Sequence, residues 1–275
     1  MPEGAKGSFE AWYVAYAVLG LVQNGVAPIL LPLSARHGFD AGLTYSAFSL
    51  SGLAAPMLGA WSDRRQRQRG LLIAGLGLAA AALFLFPLVS GLAGRLALAM
   101  VAGLGAIAAS TVGNMFIVEV APQPEWDQRI GALQSWISAG QVVGLILAGA
   151  LAVSRPKAAF DIAGAALLFG ALIAWRYAPT PGQPVPRAAV APTPLVGGEA
   201  GATHRQFHRI TLRGLKRLLD LPSGALMRFL GVWMLSYTAT NAVSAMLPVA
   251  MTHEYGTSAL VPSVAYAIGI GLSLP

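Results

Sequence analysis

Eight apolar stretches, each close to the length of a membrane crossing, dominate this chain and leave little room for another architecture. They run at about 11–33, 43–61, 70–89, 95–118, 130–153, 158–177, 226–251 and 258–275. A helix needs about 20 mostly apolar residues to cross about 30 Å of hydrocarbon. Inside a bilayer every backbone N–H and C=O must find a partner within the protein, and only helices and closed barrels achieve this. Stretches of this length read as helices. The expected fold class is an all-α membrane protein.

Composition excludes the soluble alternatives. Only 11% of residues are charged, against about 25% in a typical soluble domain. The mean hydropathy is +0.63. The 32 Gly and 18 Pro would make a soluble chain loop-rich, but both are common in membrane helices. A net charge of +7 suggests nucleic acid until its placement is noted. The basic residues cluster in loops beside apolar spans, so the bilayer is the expected partner and nucleic acid is not. The chain has no cysteine, hence no disulfide frame. No signal peptide is read in Met1–Glu10, so the first span is expected to serve as its own insertion signal.

Orientation follows from Lys and Arg. With the N-terminus inside, Arg36, Arg95, Arg155 and Lys157 fall outside and the other fourteen of 18 inside. That excess predicts a cytoplasmic N-terminus in a cell (inner) membrane. Residues 1–177 then form an N-terminal six-helix bundle, 178–223 a cytoplasmic linker, and 224–275 the start of a second bundle. The linker opens with six prolines from Pro179 to Pro194, which do not pack as a helix. From Thr203 to Leu221 it turns basic. Phe207, Ile210, Leu215, Leu218 and Leu219 recur there at near-helical spacing, as in an amphipathic helix lying on the membrane face or a solvated linker helix.

An internal repeat supports two bundles. Leu31-Pro32-Leu33, then His37 and Phe39, recur as Leu247-Pro248-Val249, then His253 and Tyr255, at an offset of 216. The expected plan is a parallel repeat of six spans per half. The same offset carries Gly59 onto Pro275, so the chain is expected to be a fragment of a longer protein, holding two helices of its second half.

The run Gly59-Ala60-Trp61-Ser62-Asp63-Arg64-Arg65-Gln66-Arg67-Gln68-Arg69 separates spans two and three. Its pattern resembles the loop between helices two and three of the major facilitator superfamily, roughly Gly-x-Leu-x-Asp-(Arg/Lys)-x-Gly-(Arg/Lys)-(Arg/Lys). Gly59, Asp63, Arg64 and Arg67 fall in register. Trp61, Gln66 and Gln68 stand where Leu, Gly and a basic residue are usual. The resemblance covers the whole chain as architecture and this loop as residues. It implies a facilitator-type helical bundle and a secondary transporter that moves a small-molecule substrate by alternating access, acting as a monomer. It also implies a gating latch at Asp63 and Arg64 that favours the outward-facing state.

Polar groups at membrane depth are the candidate substrate contacts, because each needs a partner or a wet cavity. Gln23 and Asn24 sit mid-span one, with Pro28 and Pro32 permitting a bend. Tyr237 and Asn241 hold the corresponding place in span seven, Gln141 lies mid-span five, and Asn114 lies in span four with Ser110 and Thr111. The competing reading of each is an interhelical hydrogen bond that only joins helices. Glu119 is expected to pair with Arg129 or Arg67. Gly140, Gly144 and Gly149, with Gly75, Gly77, Gly103 and Gly105, read as packing glycines. Arg95 stands at the wrong spacing from later glycines to inherit the family's proton-coupling arginine.

No cofactor is expected beyond coupling to a proton or sodium gradient. No span holds a carboxylate near its middle, which places any proton-titrating group in helices beyond this chain. His204 and His208 lack a third ligand, so no metal is expected. The lack of clustered His, Asp or Glu at membrane depth argues against an enzyme. A membrane assembly or receptor protein on the same fold stays open as the alternative to a transporter.

Overall fold

The computed structural model describes residues 10–34, 38–65 and 67–179, and positions 232, 250–251, 258, 260–261, 263–265 and 268; the side chains at 38 and 63–65 lie outside this description. The linker from residue 180 on, most of spans seven and eight, His37, His204, His208, His253, Tyr237 and Asn241 also lie outside the described residues.

The described residues form six helical spans. Span one is α1 (Tyr13–Gly20), a π turn (Leu21–Val26) and α2 (Ala27–Leu33). Span two is α3 (Gly38–Leu50), a 3-10 turn (Ser51–Ala54) and α4 (Ala55–Arg65). Span three is α5 (Gln68–Leu85), closing in a 3-10 turn at Phe86–Leu88. Span four is α6 (Leu92–Thr111) and α7 (Gly113–Val120). Span five is α8 (Trp126–Leu151), preceded by a 3-10 turn at Gln123–Glu125, and span six is α9 (Pro156–Tyr177).

Local chemistry sets the ends. Pro122 is extended and stops α7. Pro156 opens α9, where its missing N–H costs nothing. Ala178 is extended, as the residue before Pro179 must be.

Five of these spans are long and apolar enough to cross a membrane: Tyr13–Leu33, Gln68–Leu88, Leu92–Val120, Gln123–Leu151 and Pro156–Tyr177. Span two carries Thr44, Ser46, Ser49, Ser51 and Pro56, which dilute it. Spans two to five also begin a few residues earlier than their apolar cores suggest, because polar first turns such as Gln68-Arg69 and Trp126-Asp127-Gln128 are helical too.

The spans alternate in direction. At one end Arg69 Nη2 donates to the Trp175 carbonyl, Gln68 donates to Glu119, and Arg129 pairs with Glu10. This basic-loop end therefore gathers the chain start, the start of α5, the end of α7, the start of α8 and the end of α9. At the opposite end Arg95 donates to the Ser34 carbonyl at 2.8 Å and the Val89 carbonyl at 3.0 Å. One guanidinium thus caps the C-terminus of α2 and steadies the turn into α6, where a cation suits the helix dipole.

Glycine decides which helices touch. Lipid is as apolar as Leu, so close backbone approach replaces hydrophobic burial as the driving force. A Cβ on Gly75 would lie 2.6 Å from the Gly105 carbonyl and one on Gly105 would lie 2.5 Å from the Gly75 carbonyl, so spans three and four cross there. Gly103 meets the Phe48 carbonyl and Ser51, joining spans two and four. Gly164 lies over the Phe84 ring and Phe160 stacks on Phe86 at 4.9 Å, joining spans three and six. Gly77, expected to pack, has nothing within 4 Å of where its Cβ would be. Leu78, Leu85, Ile146, Leu168, Phe169 and Leu172 point outward, a surface suited to lipid.

Candidate functional site

The polar stretch of span one is not α-helical. Over Leu21–Val26 the chain forms a π turn, and Ala27 N–H bonds to the Val22 carbonyl five residues back. Pro28 supplies the reason: it has no N–H to return to the Asn24 carbonyl, so the regular ladder cannot continue. Turns of this kind often mark functional positions within helices. Gln23 and Asn24 sit in this turn, both half-buried.

Span five presses on the same turn. A Cβ on Gly25 would lie 2.7 Å from Gly144 Cα and 2.8 Å from the Gln141 carbonyl oxygen. Gly140 meets the Ala17 carbonyl, Gly144 the Leu21 carbonyl, and Gly20 the Ile137 carbonyl. The contact brings Gln141, half-buried, to the depth of Gln23 and Asn24. Among the described residues, none of these three amides has a side-chain hydrogen-bond partner. An amide both donates and accepts, and no residue of the π turn or of Gln134–Ala150 is ionisable. This patch is built to hydrogen-bond without charge.

Asn114 stands apart. It is exposed, in the first turn of α7. The neighbouring Gly113 lies against the Tyr16 ring, which is about two turns nearer the basic-loop end than Asn24. Ser110 and Thr111 turn inward on their own helix, both donating to the Ile107 carbonyl. Gly149 packs elsewhere: its Cβ would fall 2.6 Å from Ser263 Cβ.

At the basic-loop end, a Cβ on Gly59 would lie 3.3 Å from Thr111 Cγ2, so this motif glycine brings α4 against span four. Arg67 is exposed in the loop. The side chains of Asp63 and Arg64 lie outside the described residues. Glu119 does not take the partner expected for it in Arg129. It accepts from Gln68 Nε2 at 2.8 Å, and Gln68 is only 1% exposed with its Oε1 unpartnered. Arg129 turns instead to Glu10 and to Glu125, one turn before it, at 2.8 Å. The reason is reach: Arg129 belongs to the first turns of α8, facing the chain start.

Two residues here, Tyr16 and Trp12, carry no warning in the sequence, and a third, Gln68, carries a faint one. Tyr16 donates from its hydroxyl to the Ala109 carbonyl at 3.2 Å. Trp12 bonds Glu10 and lies edge-on to Tyr13, Tyr16 and Phe116. Gln68 departs from the family's basic pattern, and that departure was the available signal. Among the described residues, no group of three or more His, Cys, Asp or Glu could hold a metal ion.

No curated protein matches the chain. The family model of the Major Facilitator Superfamily matches residues 12–275, nearly the whole sequence. With its apolar, direction-alternating spans, the chain belongs to the major facilitator superfamily of multi-pass membrane transporters.

Proposed function

We propose that this protein carries a small, hydrogen-bonding molecule across a cell (inner) membrane by alternating access. Two helical bundles rock about a central polar site. Gln23, Asn24 and Gln141 contact the substrate from the first half, with Asn114 nearer the cytoplasm and Tyr237 and Asn241 from the second half. The carrying observation is the π turn whose Gly25 packs on the Gln141 carbonyl, which sets Gln23, Asn24 and Gln141, three amides with no side-chain partner among the described residues, at one depth. Amides that merely joined helices would bond each other or a neighbouring carbonyl. The N-terminus faces the cytoplasm, Asp63 and Arg64 bias the outward-facing state, and Gly59 and Arg67 complete that loop. The protein acts as a monomer, not as an enzyme, without a cofactor or nucleic acid, and draws on a proton or sodium gradient.

The test is flux. Proteoliposomes holding the protein are given a mixed pool of neutral and charged metabolites, with and without an imposed proton or sodium gradient. Saturable movement of at least one solute, weakened when Gln23 and Gln141 are both changed to Ala, supports the proposal. No movement of any solute, together with stable capture of a membrane partner, would favour an assembly or receptor role instead.

A further inference from the structure

Span four is two helices that meet at Val112, whose backbone sits at φ −92° and ψ −7°. The last four carbonyls of a helix have no partner in its own ladder. Side chains attend to this break. Ser110 Oγ at 3.1 Å and Thr111 Oγ1 at 2.7 Å both donate to the Ile107 carbonyl, a local pairing that bends helices. From span one, the Tyr16 hydroxyl donates to the Ala109 carbonyl at 3.2 Å.

The ring of Tyr16 is held in place to do so. It is 1% exposed, with Trp12 edge-on at 5.5 Å. Gly113 makes the room: a Cβ there would lie 2.7 Å from Tyr16 Cε1 and 3.2 Å from Leu133 Cδ2. Across the joint, Gly59 of α4 closes on Thr111. Spans one, two and five therefore all meet span four at one break. Beyond it, α7 carries Asn114 in its first turn and Glu119 in its last, where Gln68 holds it.

We infer that the Tyr16 hydroxyl is a positioning group that fixes the angle of α7, and with it the place of Asn114 and the Glu119–Gln68 contact. Without the hydroxyl, the buried Ala109 carbonyl has no donor and the joint relaxes by admitting water or by rebonding at a new angle. This inference goes beyond the transport proposal and does not depend on it, because it is read as a distance and not as a flux.

The chain has no cysteine, so paired spin labels can be placed without background. Labels at Val120 and Tyr177 report the C-terminal end of α7. Labels at Leu85 and Leu92, at the opposite end, serve as control. All four positions are exposed.

In Tyr16→Phe the 120–177 distance distribution should shift or split by about 3 Å, as a lever about 12 Å long does when it swings about 15°. The 85–92 pair should not change. Gly113→Ala, which forces the ring away from the other side, should reproduce the shift, and it decides the matter if Tyr16→Phe does not fold. An unchanged 120–177 distribution in both variants overturns the inference. So does an equal change in both label pairs, which would make Tyr16 general packing. A shift with Gly113→Ala while a folded Tyr16→Phe leaves the 120–177 distribution unchanged would assign the role to the ring and overturn that of the hydroxyl.

Discussion

Gly140 of α8 lies so close to the carbonyl of Ala17 in α1 that not even a methyl group fits between them. Gly144 repeats the contact one turn on, against the Leu21 carbonyl, and Gly20 and Gly25 return it from the other helix. This seam holds the π turn against Gln141. Gly140→Ala must part the two helices, and overpacking of this kind costs about 1–3 kcal/mol. The Tm in detergent should fall, while Gly77→Ala, which meets open space, should leave it unchanged. Equal melting of the two variants would show that the seam is not close-packed.

Arg95 joins three helix ends by two hydrogen bonds. Hydrogen bonds from a charged group contribute about 1.5–3 kcal/mol each. Arg95→Ala should lower the Tm clearly, and Arg95→Lys should lower it less, since an ammonium lacks the planar fork that spans both carbonyls. A lysine variant as unstable as the alanine one would mean that geometry, not charge, is all that matters there.

The π turn should depend on Pro28. Pro28→Ala restores an N–H able to reach the Asn24 carbonyl, so the turn should tighten to an α-helix. Hydrogen exchange across Leu21–Val26 should then slow several-fold, with exchange in α9 unaltered. Exchange as fast as in the parent would show that Pro28 does not maintain the turn.

Most of the architecture was legible because hydrocarbon imposes it. Ala, Leu and Gly runs without charge can only be helices, and charge appears only where they end. The loop from Gly59 to Arg67 named the family by pattern. The breaks within spans were harder to read. Pro28 and Pro32 signalled a bend in span one, but not that it would take the form of a π turn over Leu21–Val26. The break at Val112 has no proline at all. Tyr16 reads as one more aromatic in an apolar run, and its role depends on an acceptor in another span. Glu119 was assigned by charge to Arg129 or Arg67. Its contact with Gln68 follows from where α5 begins and α7 ends, a tertiary fact.

Gln68 sits inside the protein with one amide group bonded to a carboxylate. Gln68→Leu fills similar space but removes the donor, leaving Glu119 short of one hydrogen bond. Bonds to charged groups contribute about 1.5–3 kcal/mol, so the Tm should drop, and Glu119→Gln together with Gln68→Leu should recover part of the loss. A double variant less stable than Gln68→Leu alone would show that Glu119 is held chiefly by other partners.

The central claim is that the amide patch of spans one and five faces water from each side of the membrane in turn. Single cysteines at Asn24 and Gln141 test it without knowledge of the substrate. Each should react with a membrane-impermeant maleimide from both faces. Adding Asp63→Asn should lower the outside rate and raise the inside rate. Labelling from one face only, or rates untouched by Asp63→Asn on both sides, would contradict alternating access through this patch.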